Sequence, residues 1–104
     1  MTTNEIMELV LSADPNAYRY FSEETTVDYT AWHEFARDPF WGDNDAAEDG
    51  WRFQVDRFTR TEDDPMVETI WNKLKGEDRV TVQHTVRFEK DTGYIHHVFT
   101  CRGR

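Results

Sequence analysis

Residues 80–101 read VTVQHTVRFEKDTGYIHHVFTC, and this stretch decides the fold. Val80, Val82, His84, Val86 and Phe88 fall at every second position, and so do Ile95, His97, Phe99 and Cys101. Period-two alternation is the mark of a half-buried strand. Between the two runs, Asp91-Thr92-Gly93 supplies turn chemistry. The pattern predicts a C-terminal hairpin. If both apolar sets look inward, Phe88 pairs near Ile95, Val82 near Cys101, and His84 faces Phe99 and lies diagonal to His97.

Upstream, Asp64-Pro65 opens a helix, with Asp64 as N-cap, Pro65 at N1 and Glu68 in the first turn. Val67, Ile70, Trp71 and Leu74 make its apolar stripe. Lys73 and Lys75 suit the negative end of the helix dipole, and Gly76 stands at C′. Before it, Trp51 to Arg60 alternates as a strand, with a slip of phase at Asp56–Arg57 that predicts a bulge.

The N-terminal half reads as helical. Thr2 and Glu5 have capping-box spacing ahead of Ile6, Leu9, Val10 and Ala13. Asp14-Pro15 predicts a second short helix through Phe21. Thr26 or Asp28 caps a third through Arg37, burying Trp32, Phe35 and Ala36. The expected class is α+β: a small single domain spanning 1–104, with an antiparallel sheet of about three strands (the hairpin plus one) packed against N-terminal helices and one inserted helix.

Composition agrees with a folded domain. Ile, Leu, Val and Phe number only 21 of 104 residues, but seven Phe, four Tyr and four Trp supply large buried surfaces instead. Cys101 is the one cysteine, which excludes an internal disulfide and fits a reducing compartment. The N-terminus lacks a basic segment and a long apolar run, so neither a signal peptide nor a membrane span is expected. The expected location is cytoplasmic.

Charge is divided unevenly. Residues 1–51 hold twelve Asp/Glu against two Arg, whereas residues 52–104 hold nine acids against ten Lys/Arg, giving −9 in all. The basic residues are scattered among acids, so direct nucleic-acid binding is not expected. Many of the acids fall on helices or serve as caps. The cluster between two tryptophans remains: Asp38, Phe40, Trp41, Asp43, Asp45, Glu48, Asp49 and Trp51. Aromatic anchors ringed by carboxylates suit a partner rich in Arg and Lys. A solvated loop with its aromatics turned inward is the plainer account of the same residues.

Other chemistry has weaker signals. Aligning Gly50 with the glycine of a calcium loop places Asp45 and Asp49 at ligand positions. Ala47 then stands where an oxygen is needed, and Asp56 replaces the bidentate Glu. No cofactor or metal is expected. His84 and His97 could form a pocket, yet only Cys101 joins them on that face. Ser12 and Ser22 lack a nearby His, and Cys101 reads as a small buried hydrophobe.

The leading expectation is a non-catalytic acidic binding protein. It inhibits a basic partner by occluding its site, of the kind that binds nucleic acid, as an immunity or antitoxin-like protein or a phage anti-defence protein would. The alternatives are a small enzyme or ligand binder using His84 and His97, and a homodimeric structural subunit joined through a sheet edge.

Overall fold

The hairpin forms as its alternation predicts, and a longer sheet is built on it. The computed structural model describes residues 1–22, 27–38 and 50–104. The elements are α1 (Thr3–Ala13), β1 (Tyr18–Arg19), β2 (Tyr29–Asp38), β3 (Gly50–Thr59), α2 (Pro65–Lys75), β4 (Val80–Phe88) and β5 (Ile95–Gly103). The class is α+β, but the sheet has five strands where about three were expected, in the order β1-β2-β3-β5-β4. Among the described residues, only the β1–β2 pair is parallel.

Along β4 and β5 the observed pairs are Phe88 with Ile95, His84 with Phe99 and Val82 with Cys101, as expected. Strand β3 lies between β2 and β5, so Trp32, Val55 and Phe99 align across the sheet. They share a face with Phe53 and Cys101, against which Ile6, Val10 and Ala13 of α1 and Val67, Ile70 and Leu74 of α2 pack. Both helices therefore pack on one face of the sheet, and among the described residues no helix covers the other, the open face.

Both long helices start as the sequence specifies. Thr2 Oγ1 accepts from Glu5 N at 3.1 Å while Glu5 Oε1 accepts from Thr2 N at 3.0 Å, completing the capping box. Asp64 Oδ1 accepts from Met66 N at 3.0 Å with Pro65 in the first turn. Gly76 departs from the expected C′ role. It is the C-cap in right-handed helical conformation (φ −77°), and its N–H bonds Asn72 O at 3.0 Å.

The second and third helices expected in the N-terminal half do not form. Asp14 ends α1 as its C-cap, and its carboxylate accepts from Asn16 N at 3.0 Å. An Asp that could cap a helix closes a turn here instead. Tyr20 then adopts φ +76°, which no helix continues. Residues 29–38 form strand β2, not a helix. The ladder is irregular between Glu34 and Ala36, and this irregularity disguises the strand. One extra residue breaks the alternation, so Trp32, Phe35 and Ala36 take on helical spacing. Trp32 is buried as expected, but Phe35 is 49% exposed.

The bulge expected at Asp56–Arg57 is absent. Strand β3 pairs with β5 in unbroken register from Trp51 to Thr59. Phe58 belongs to the open face, stacked on Tyr29 with ring centroids 4.7 Å apart. Asp28 caps no helix. Its carboxylate accepts from Arg60 N, Thr59 Oγ1 and Thr61 Oγ1 at 2.9–3.1 Å, tying the start of β2 to the end of β3.

Candidate functional site

The acid–aromatic cluster singled out by the sequence sits between β2 and β3. Phe40, Trp41, Asp43, Asp45, Glu48 and Asp49 lie outside the described residues. Its two ends are described. Asp38 closes β2 and Gly50 opens β3, and they are register partners. Asp38 Oδ2 accepts from Arg52 Nε at 2.7 Å and lies 3.4 Å from Arg102 Nε. Trp51 packs against the edge of the core, with the Arg37 guanidinium 4.4 Å above its ring. This stacking adds a cation–π attraction to its burial.

Sequence reasoning missed a second constellation, on the open face. Asp56 is a strand residue with 5% exposure. Its Oδ1 accepts from Gln54 Nε2 at 2.8 Å and lies 2.7 Å from His96 Nε2. His33 Nδ1 stands 4.0 Å from Oδ2. The other nitrogen of His96, Nδ1, lies 3.3 Å from Glu89 Oε2. The ring of His96 stacks on Phe58 at 4.1 Å, and Phe58 meets Tyr29 and Tyr94. A buried carboxylate is tolerable only when hydrogen-bonded, and these contacts provide that.

The same contacts limit the chemistry. A carboxylate that orients an imidazole can raise its worth as a base, provided the second nitrogen is left to meet a substrate. Here a carboxylate stands against each nitrogen of His96. Asp56, assigned to the last ligand position of the calcium alignment, is held by His96 and Gln54 within a strand. Among the described residues, no group of three His, Cys, Asp or Glu is placed to hold a metal ion. The one sequence signal for this cluster was a run of polar residues at outward positions of β3 and β5. That signal is indistinguishable from an ordinary solvated face.

The covered face holds the other histidine pair. His84 Nε2 and His97 Nδ1 are 2.9 Å apart, and His84 lies flat on Phe99 at 4.4 Å. Trp71 of α2 approaches His84 at 6.1 Å. Burial lowers the pKa of both rings, and the neighbouring His84 lowers that of His97 further. One ring must donate and the other accept, so each satisfies a polar group of the other. Cys101 lies on the same face, and burial pushes its thiol well above the ordinary range, which leaves it a poor nucleophile.

Arg57 joins the elements under this face. Its Nε bonds Asp64 Oδ2 at 2.9 Å, its Nη1 lies 3.6 Å from Asp14 Oδ2, and Nη1 also donates to Thr30 Oγ1 at 3.3 Å. Burial raises the pKa of Asp64, but the Met66 N–H and the Arg57 guanidinium outweigh it and hold the carboxyl below its usual value. The end of α1, the start of α2 and two strands thus share one cation.

Neither a protein-family model nor a curated protein sequence matches this chain. Among the described residues, no helix is long and apolar enough to cross a membrane.

Proposed function

We propose that the chain is a binding protein that acts on a basic partner protein by occlusion, not by catalysis. The observation that carries this reading is the pairing of Asp38 with Gly50. It makes residues 39–49 the connection of a long antiparallel hairpin, and Asp43, Asp45, Glu48 and Asp49 all belong to that connection. At the root of that connection Arg52 and Arg102 are already engaged by Asp38. The acids beyond it supply steering toward Arg and Lys on the partner, and Phe40 and Trp41 supply apolar anchors. The two histidine clusters favour this reading over an enzyme. In one, both ring nitrogens face carboxylates; in the other, the two rings bond to each other.

The test is association kinetics with a captured partner. Reversing Asp43, Asp45 and Asp49 to Lys is expected to slow association by at least tenfold at low salt, with a smaller change in dissociation. Association that ignores both the reversal and the salt concentration would overturn the proposal.

A further inference from the structure

The sheet ends on one side in β1, which is two residues long, and on the other in β4, which is nine. Exposed edges invite pairing with another strand, and proteins blunt them with short strands, Pro, Lys or bulges. Strand β4 has one charged side chain, Arg87, and otherwise none of these devices. Its register with β5 is unbroken from Val80 to Phe88, and it contains neither Pro nor Lys. Val86 and Phe88 are 56% and 67% exposed.

The direction of its free backbone groups follows from the ladder. Glu89 N bonds Tyr94 O at 2.9 Å, and Arg104 N bonds Arg79 O at 3.0 Å. Antiparallel pairs alternate between bonded and non-bonded, so the odd-numbered residues of β4 turn their N–H and C=O groups toward β5. Val82, His84, Val86 and Phe88 therefore turn theirs outward, and among the described residues no strand meets them.

We propose that this edge is a self-association site, where β4 of two copies pairs antiparallel about a two-fold axis through His84. His84 is the midpoint of the strand, so this register overlaps all nine residues. It sets Val80 against Phe88 of the second copy and Val82 against Val86, apolar on apolar. Thr81 meets Arg87, and Gln83 meets Thr85. Just beyond the strand, Arg79 comes alongside Glu89 and Asp78 alongside Lys90, so opposite charges meet at both ends. Neighbouring registers are poorer. Moving the axis to Gln83 sets Arg79 against Arg87, and moving it to Thr85 sets Val80 against Lys90. Like charges placed directly opposite are destabilising, and matched apolar pairs are favourable. The product is one continuous ten-stranded sheet with all four helices on the same face. This site is independent of the acidic connection, which joins β2 to β3.

Cysteine cross-linking tests both the contact and its register. In the two-fold pair Thr81 stands beside Arg87 of the second copy in a non-hydrogen-bonded position, close enough for a disulfide. Two copies of Thr81, or two of Arg87, are six residues apart, about 20 Å. Mixing T81C chains with R87C chains under mild oxidation is expected to give a disulfide-linked heterodimer, and each variant alone is expected to stay uncross-linked. Native Cys101 is buried and does not compete. By sedimentation equilibrium the unmodified chain is expected to dimerise, and Val86→Lys with Phe88→Lys to weaken the dimer on the order of tenfold. Circular dichroism checks that this variant keeps its fold. A chain that stays monomeric at every concentration overturns the proposal. So does a mixture that fails to cross-link, or cross-links no better than either variant alone.

Discussion

His96 and His97 are one position apart and lie on opposite faces of the sheet. On the open face, His96 stands between the carboxylates of Asp56 and Glu89. On the covered face, His97 meets His84 above Phe99, and burial disfavours its charged form. The difference shows how little residue type decides by itself. A strand gives successive side chains to two environments, and each environment then selects the partner its histidine needs. The covered face packs apolar side chains around the His84–His97 pair, whose rings satisfy each other, and around the Arg57 guanidinium, which meets Asp14 and Asp64. On the open face the Asp56 carboxyl is buried and meets Gln54 and His96.

Substitutions on the two faces should separate these accounts. The largest effect is expected on the covered side, where Phe99 is fully buried against both helices' core. Phe99→Ala should cost about 3–5 kcal/mol in urea unfolding. Phe88→Ala, at an exposed edge position, should cost no more than about 0.5 kcal/mol under conditions where the chain is monomeric. Equal losses would erase the distinction between covered and uncovered apolar residues. On the open face, Asp56→Ala removes the acceptor for His96 and Gln54, and should cost about 1–3 kcal/mol. A neutral result would mean that this cluster is decoration on an already stable sheet.

The smallest effect expected is a dependence on pH. In the folded chain His84 and His97 resist protonation, whereas in the unfolded chain they titrate near the ordinary value of about 6.5. The unfolded state therefore binds more protons below that value, and stability falls as pH falls through it. Replacing both rings by Leu should flatten the melting temperature between about pH 6.5 and 5 relative to the unmodified chain. An identical pH profile in the two proteins would show that the pair is not the source of the dependence. Below about pH 4, protonation of Asp28, Glu34 and Asp64, whose folded pKa values lie under their usual ones, should destabilise both proteins alike.

The C-terminal half was legible in its sequence because local signals there agree with the fold. Val80 to Cys101 alternates cleanly, and Asp64-Pro65 caps a helix in the ordinary way. Residues 14–38 were not legible, for reasons that lie outside the segment. Strand β2 is specified by its pairing with β3, and its irregular ladder at Phe35 disguises the period. Asp14 and Asp28 look like helix N-caps and instead bind Asn16 and the Arg60 segment. The open-face cluster was hidden because its members, His33, Asp56, Glu89 and His96, come together only through strand order. Sequence reading did find the His84–His97 pair, since those residues share a face of one hairpin.

The position of β5 bears on how the chain reaches this state. It follows β4 in sequence but lies inside the sheet, between β3 and β4. A nascent chain can close the β2–β3 hairpin early, because its contacts are local. It cannot join β3 to β4 until residues 95–103 have been made. Until then both strands present raw edges, and α2 has only part of its floor. Folding during synthesis should therefore be abrupt, with the two halves of the sheet united only once residues 95–103 have emerged.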